Sequence, residues 1–188
     1  TPELIADALD GGKMHALVCN TAGGYGKTLG AAREINIWAQ VRVVNRLLDN
    51  FVEGGVLVYL NSEAGHRYHI MDESEKELLG NYEVVARSKN ESERYFRSRI
   101  PEFSEMGIRY GVVVANALEG TFVSRVLRKS HKHLISNWQD ITPEGFFPVA
   151  TDMAVAVGKV VRGSFPSGHT EYVGVRPEYQ VYPSRISV

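Results

Sequence analysis

The sequence contains little of several features that mark specialised protein classes. Its one cysteine, Cys19 in the run HALVCN, excludes an intrachain disulfide framework and is more typical of a small core residue. No apolar run approaches the roughly 18 residues of a membrane span, and the amino-terminal TPELIADALD lacks the pattern of a signal peptide. A net charge of −1 gives no general attraction to nucleic acid or to an anionic membrane. We therefore expect a cytoplasmic protein that binds neither.

The sequence does contain strand-length apolar runs that alternate with segments of helical period. The predicted strands are residues 15–20, 55–61, 108–116 and 170–175, and the predicted helices are residues 31–52, 82–105 and 151–161. Gly54 and Gly55 are predicted to end the first helix, and the polar stretch 63–80 is predicted to separate a strand from a helix. This order predicts an α/β fold, a doubly wound Rossmann-type parallel sheet in one domain over residues 1–188. In such folds the ligand site lies beyond the carboxyl ends of the strands.

Polar and glycine-bearing pieces follow the predicted strands at the expected places. They are Asn20-Thr21-Ala22-Gly23 after the first strand, Asn36 in the next helix, Ser62 after the second strand, Tyr82 with Lys89 in NYEVVARSK, Thr121 in NALEGT, and the closing SGHTEYVG. Each piece is short, but their order and their placement at strand ends are specific. Over nearly the whole chain they resemble the short-chain dehydrogenase/reductase family.

The resemblance implies a nicotinamide cofactor, NAD or NADP, and a catalytic set. Hydride delivery to a carbonyl or a conjugated alkene builds negative charge on an oxygen, which an acid must meet. By resemblance, Tyr82 is that acid, Lys89 lowers the pKa of its phenol and holds the nicotinamide ribose hydroxyls, and Ser62 donates to the substrate oxygen. Asn36 would hold a helix kink or a proton-relay water. The resemblance also places Asn20, Ala22, Gly23 and Thr121 beside the cofactor, and it implies no metal.

The spacing between the tyrosine and the lysine distinguishes a subtype. Six residues separate Tyr82 from Lys89, and the position that most of the family gives to tyrosine is Val85. The longer gap resembles the divergent branch of enoyl-acyl-carrier-protein reductases. Seven helical positions rotate by about 700° and rise by about 10.5 Å, so both side chains share one face only if the tyrosine lies at or before the helix start. We expect a carbonyl or conjugated enoyl substrate, with a thioester of coenzyme A or of an acyl carrier protein as a candidate.

The chain also departs from the family pattern. Asn116-Ala117 replaces a Pro-Gly pair, Glu63 stands roughly where the enoyl reductases have a second tyrosine, and the glycine-rich turn that binds the pyrophosphate is absent. The sequence therefore corresponds to the carboxyl-terminal two-thirds of the fold. Either it is a fragment, or a partner supplies the first part, or it binds no dinucleotide. The alternative function is a catalytically inactive scaffold or binding protein of the same fold.

Four further patterns have competing interpretations. Residues 21–28 (TAGGYGKT) resemble a phosphate-binding P-loop without its first glycine, and residues 165–170 (FPSGHT) resemble an acid-phosphatase motif but are interpreted as a turn into the last strand. His66 and His69 are interpreted as loop residues and not as metal ligands. The basic run 125–133 is either a solvated helix face or a landing site for a coenzyme A, carrier-protein or cofactor phosphate.

Two predictions concern assembly and gating. The helices that contain Asn36 and residues 82–105 have more apolar residues than one sheet face can cover, namely Trp38, Val44, Tyr95, Phe96, Ile100 and Phe103. They predict a homodimer or a homotetramer. Residues 118–148 form a long basic segment after a strand, which predicts a lid over a small-molecule substrate.

Overall fold

A computed structural model describes residues 11–121 and 145–180, together with residues 5, 9, 124, 125, 128, 129, 136, 139, 140, 142 and 143. The strands are β1 (Met14–Cys19), β2 (Phe51–Ser62), β3 (Arg109–Ala115) and β4 (His169–Val173). The helices used below are α1 (Leu29–Arg33), α2 (Ala39–Leu47), α3 (Glu63–Arg67), α4 (Glu73–Leu79), α5 (Glu83–Ser98), α6 (Ile100–Glu105) and α7 (Ala150–Arg162). A π-helical turn (Glu34–Trp38) joins α1 to α2, and four 3₁₀ turns are Leu48–Asn50, Tyr68–Ile70, Gly80–Tyr82 and Pro177–Tyr179.

The four strands form one parallel sheet in the order β1-β2-β3-β4. One face is covered by α2, α5 and α6, whose apolar side chains pack on β1, β2 and β3. The other face is covered by α7, where Ala156 and Val160 pack on β2, β3 and β4. The predicted doubly wound α/β fold is therefore confirmed. Ser62 pairs with Ala115 in the register of β2 and β3, so the carboxyl ends of these two strands lie side by side.

Helix α5 contributes the most polar of the faces that are buried against the sheet. Phe96 is fully buried, with ring centroids 5.9 Å from Tyr59 and 6.3 Å from Tyr110. The same buried side of the helix also contains Lys89, Glu93 and Arg97. Three ionisable groups at successive helical turns are therefore removed from water.

Two predicted boundaries are wrong. Strand β2 begins at Phe51, so Gly54 and Gly55 lie inside it and do not end a helix. Phe51 is buried and pairs with Met14, and this packing favours strand over the helical period of the sequence. Gly54 has a φ of 77°, and its N–H donates to the carbonyl of Gly107 at 2.8 Å, which bends the strand locally.

The polar stretch 63–80 separates a strand from a helix, as predicted, and it forms two short helices of its own, α3 and α4. Ser62 caps α3 by accepting a hydrogen bond from the Gly65 N–H, and Asp72 caps α4 in a reciprocal capping box with Glu75. The single helix predicted over 82–105 is divided between α5 and α6. The break follows Ser98, and Pro101 lies in the first turn of α6, where its missing N–H costs no hydrogen bond.

The surface predicted for self-association is smaller than the sequence indicates. Val44, Phe96 and Phe103 are fully buried in the core of the chain itself. Trp38 is 45% exposed and packs edge-on against Tyr95, with ring centroids 6.2 Å apart. Self-association through this face stays a prediction.

Most of the predicted lid, including Trp138, lies outside the described residues. Near its carboxyl end Phe146 is exposed and Phe147 is buried beside α4 and α5. The lid therefore also stays a prediction. In the described part of the chain, no helix is both long and apolar enough to cross a bilayer.

Trp38→Lys should reduce self-association, because it places a charge at the exposed aromatic residue of the α2–α5 face. We expect the parent protein to have a mass above that of the monomer by light scattering at micromolar concentration, and the variant to shift toward the monomer. Val155→Lys is the matched control, since Val155 is exposed on α7 on the other side of the sheet. A monomeric parent would contradict the prediction.

Gly65→Ala should destabilise the protein, because α3 approaches α5 and β2 closely at this position. A Cβ on Gly65 would lie 2.4 Å from Asn61 Oδ1 and 3.1 Å from the Cβ of Lys89. We expect a loss of about 1–3 kcal/mol in the free energy of unfolding by urea. Gly30→Ala in helix α1 is the control, since a Cβ there would meet only Thr28 Oγ1, at 3.9 Å, and it should be neutral or stabilising by up to about 1 kcal/mol. Equal stability of the two variants would contradict the prediction, because it would show that Asn61 and Lys89 move aside at no measurable cost in free energy.

Candidate active site

A cavity of about 240 Å³ opens at the carboxyl ends of β2 and β3. Six of the residues predicted from the sequence line it, and they are Asn20, Ala22, Ser62, Tyr82, Lys89 and Thr121. The parallel sheet brings them together, because consecutive parallel strands end at the same edge. Most of the remaining wall is apolar and comes from Leu60, Ala64, Ala115, Ala117, Leu118 and Met153.

Ser62 and Tyr82 lie against each other at this cavity. Ser62 is the last residue of β2, and its Oγ accepts the Gly65 N–H at 3.1 Å as the cap of α3. Tyr82 ends a 3₁₀ turn immediately before α5, which is where the seven-position spacing to Lys89 requires it to be. Its phenol is hydrogen-bonded to the Ser62 side chain.

The phenol of Tyr82 is held in its protonated form. Burial raises its pKa, the hydrogen bond with Ser62 opposes that rise, and the carboxylate of Glu63 raises the pKa further. Lys89 is not among the groups that shift it. Tyr82 is therefore a hydrogen-bond donor at neutral pH, and the sequence-based expectation that Lys89 lowers its pKa has no support in this structure.

Lys89 places an ammonium group at the wall of the cavity. Burial lowers its pKa to about 8, and the carboxylate of Glu93, one helical turn further along α5, opposes part of that shift. None of the described residues forms an ion pair or a hydrogen bond with Nζ. Its three donors therefore have no partner among these residues and are available to a ligand.

Asn36 lies outside the cavity and is fully occupied. It is buried in the π-helical turn, where its Oδ1 accepts the Gly23 N–H at 2.9 Å and its Nδ2 donates to the Gly23 carbonyl at 2.9 Å and to Ser88 Oγ at 2.8 Å. The side chain thus clamps the loop after β1 onto α5. Of the two roles that the resemblance implies, this geometry favours the helix irregularity, since π turns interrupt a helix in this way.

The residues predicted to lie beside the cofactor differ in exposure and in hydrogen bonding. Asn20 and Ala22 are exposed and line the cavity, whereas Gly23 is held behind them by Asn36. The hydroxyl of Thr121 donates to the Leu118 carbonyl at 2.9 Å and accepts the Ser124 N–H at 3.2 Å, so it stabilises a local turn.

Sequence reasoning missed four polar residues of the cavity and a buried histidine. Asn61, Glu63, Asn116 and Ser124 also line the cavity. His66, which was predicted to be a loop residue, is buried in α3 and its Nδ1 lies 2.8 Å from the carboxylate of Glu93. The signal was Glu93 itself, because a carboxylate close to the apolar stripe of Phe96 requires a buried partner.

The other motifs have structural roles. Thr28 of the P-loop-like segment caps α1 by accepting the Ala31 N–H, while Lys27 is exposed. Phe165 stacks on His169 with ring centroids 3.9 Å apart, and the His169 N–H closes a turn onto Pro166, which agrees with the predicted turn into β4. Part of the basic run lies outside the described residues.

Comparisons with known proteins identify the fold. Neither a family model nor a curated protein matches this sequence. Solved structures that it resembles include a short chain dehydrogenase family protein from Francisella tularensis (TM-score 0.71, 13% identity, 92% of this chain and 74% of that chain). A second is an enoyl-[acyl-carrier-protein] reductase (NADH) from Aquifex aeolicus, with a TM-score of 0.71 and 14% identity over 91% of this chain and 69% of that chain. A third is a 3-alpha-hydroxysteroid dehydrogenase from a Pseudomonas species complexed with NADH, with a TM-score of 0.70 and 20% identity over 92% of this chain and 77% of that chain. The chain has the short-chain dehydrogenase/reductase fold.

Lys89→Met should stabilise the protein, because a buried ammonium is replaced by an apolar side chain of similar length. The pKa of Lys89 is about 8 in the folded protein against an ordinary 10.5, so we expect a gain of about 3 kcal/mol at pH 7. The gain is largest below pH 8. It should shrink as the pH rises from 8 toward 10.5, because the folded parent then sheds the proton that the unfolded chain keeps. Urea unfolding at several pH values checks this, with Lys27→Met as the exposed control, and a gain that does not change with pH would contradict it.

Proposed function

We propose that the protein is a nicotinamide-dependent oxidoreductase that reduces a carbonyl or a conjugated enoyl group. One observation carries the proposal: a single cavity at the carboxyl edge of the sheet contains a buried ammonium, a protonated phenol and a serine hydroxyl, lined with Asn20 and Ala22. The same fold is found in solved oxidoreductases that include an NADH complex.

The described residues fit the nicotinamide and ribose end of the cofactor. Lys89 offers free N–H donors to ribose hydroxyls, and the exposed Asn20 and Ala22 line the same cavity without adding charge. When bound, the cofactor supplies a hydride. Lys89 keeps its positive charge below about pH 8, so its contribution to binding should weaken as the pH rises through that value.

The phenol and the serine hydroxyl fit the substrate oxygen. Negative charge grows on that oxygen as hydride is added, and donors aimed at it from a dry site stabilise the charge strongly. Tyr82 is protonated and already hydrogen-bonded to Ser62, so the pair is oriented before the substrate arrives. For a ketone, Tyr82 can pass its proton to the oxygen; for an enoyl thioester, the same O–H holds the enolate oxygen.

Two features of the site favour an enoyl substrate of the kind that enoyl reductases use. Tyr82 lies in a 3₁₀ turn ahead of α5 and not within the helix, and the wall is largely apolar, as an acyl chain requires. We include thioesters of coenzyme A and of acyl carrier proteins in the proposed substrate class. Either NAD or NADP is compatible with the described residues.

Two substitutions separate the roles of the tyrosine and the lysine. Tyr82→Phe keeps the ring and removes the donor, so turnover should fall by about 10²- to 10⁴-fold while the dinucleotide affinity is retained. Lys89→Ala should weaken dinucleotide binding and lower turnover together. Nicotinamide fluorescence measures binding, and a panel of enoyl and keto thioesters measures turnover.

Tyr95→Phe and Lys76→Ala are the matched controls, because both residues lie away from the cavity, and neither should change binding or turnover. If Tyr82→Phe and Lys89→Ala both behave like the parent, the two residues are structural. A parent protein that binds no dinucleotide at millimolar concentration would favour the alternative function, a catalytically inactive scaffold of the same fold.

A further inference from the structure

A buried cluster of polar side chains lies directly behind the cavity, and the proposed chemistry does not use it. Its centre is the carboxylate of Glu93, and we call it the Glu93 cluster. The contacts are Asn61 Nδ2 to Glu93 Oε2 at 2.6 Å, Arg97 Nε to Glu93 Oε1 at 2.8 Å, His66 Nδ1 to Glu93 Oε2 at 2.8 Å and His66 Nε2 to Tyr172 Oη at 2.8 Å. Asn61 also lines the cavity, so the cluster and the site share a wall.

The carboxyl group of Glu93 is held in one position by its hydrogen bonds and stays negatively charged. Burial raises the pKa of its carboxyl, but the charge and hydrogen bond of His66, the charge of Arg97 and the hydrogen bond from Asn61 outweigh burial and bring the pKa to about 2. The carboxylate is therefore ionised throughout the neutral range. Burying such a group carries a large desolvation cost, and a hydrophobic replacement is often as stable.

Lys89 lies one helical turn before Glu93, so their Cβ atoms are about 6 Å apart. The elements packed on α5 near Lys89 present these other titratable groups: Glu63 and His66 on α3, His69 in the 3₁₀ turn Tyr68–Ile70, Tyr59 on β2, Tyr82 in the turn before α5, and Arg97 on α5 itself. Glu63 forms an ion pair with Arg67 at 2.7 Å. Of all these groups, Glu93 is the one whose charge raises the pKa of Lys89 against burial.

We propose that Glu93 is a positioning residue whose buried negative charge keeps Lys89 an ammonium at the cavity wall. Asn61, His66 and Arg97 hold the carboxylate one turn behind the lysine, and not beside it. This separation supplies the field of a counter-ion without occupying the N–H donors of Lys89. A direct ion pair would stabilise the charge and block the ligand; the Glu93 cluster stabilises it and leaves the donors free. Its value to catalysis rests on the proposed function.

The protonation of Lys89 can be measured on the cofactor-free protein. Brief competitive acetylation with acetic anhydride over a range of pH, read by mass spectrometry of the peptide that contains Lys89, gives the pH midpoint of its reactivity. The exposed Lys159 is the internal reference. In the parent protein the midpoint should lie near 8.

Glu93→Gln removes the charge and keeps the shape of the side chain. We expect the Lys89 midpoint to fall by about 1–2 pH units, the effect of one charge at roughly 6 Å with an effective dielectric constant near 20. Glu93→Asp keeps the charge and should restore most of the midpoint. Glu91→Gln is the matched control on the same helix, where the carboxylate bonds Arg33 and Arg87 on the outer side, and it should leave the midpoint unchanged.

A midpoint near the ordinary 10.5 in the parent protein would overturn the proposal without any variant. So would a Glu93→Gln shift no larger than that of Glu91→Gln. If Glu93→Gln does not fold by circular dichroism, the double variant Glu93→Gln with Arg97→Met removes both buried charges, and the midpoint should still fall because Glu93 is the nearer one.

These outcomes are independent of dinucleotide binding. If the Lys89 midpoint shifts as expected but the protein binds no dinucleotide, the role of Glu93 is supported and the proposed function is wrong. If the protein binds a dinucleotide but the midpoint does not shift, the proposed function is supported and the role of Glu93 is wrong.

Discussion

The burial of charge on helix α5 is the constraint on which the candidate site depends. Lys89 must lie in a dry cavity to meet a ligand with its donors free, and an ammonium in that position is unfavourable without a compensating field. The carboxylate of Glu93 supplies the field, and it is itself supported from β2, α3 and its own helix. The close approach of α3 to α5 at Gly65 follows from this arrangement, since His66 reaches Glu93 across that contact.

Tyr82 and Lys89, the two proposed functional groups of the site, both carry a proton at neutral pH. Burial favours the neutral form of both side chains. It therefore raises the pKa of the Tyr82 phenol, which stays protonated, and lowers the pKa of the Lys89 ammonium. Below about pH 8 both groups are donors. A site of this kind favours developing negative charge on a substrate oxygen over removal of a proton from an alcohol.

The sequence was sufficient for the fold and for six of the residues that line the cavity, because these depend on local patterns. Alternating periods indicated the doubly wound sheet, and Asn20, Ser62 and Tyr82 are recognisable at the ends of elements. The start of β2 was not predictable, because the helical period of the sequence continues through Phe51 and only its pairing with Met14 selects strand. The Glu93 cluster was missed because its partners come from three separate elements. Their contact depends on the tertiary fold, which the spacing of residues along the chain does not reveal.

The π-helical turn at Asn36 has a consequence for how the chain tolerates change. A π turn accommodates one residue more than an uninterrupted α-helix would hold over the same rise, so it acts as a one-residue insertion in the helical register. Within the turn, Asn36 faces inward to Gly23, while Trp38, two positions later, remains at the surface. Loss of a single residue here would leave a regular α-helix of the same rise, and the residues on either side would keep the directions that they face now. In the regular part of this helix, loss of one residue would rotate everything beyond it by about 100°. The π turn is therefore a place where this helix tolerates a one-residue deletion.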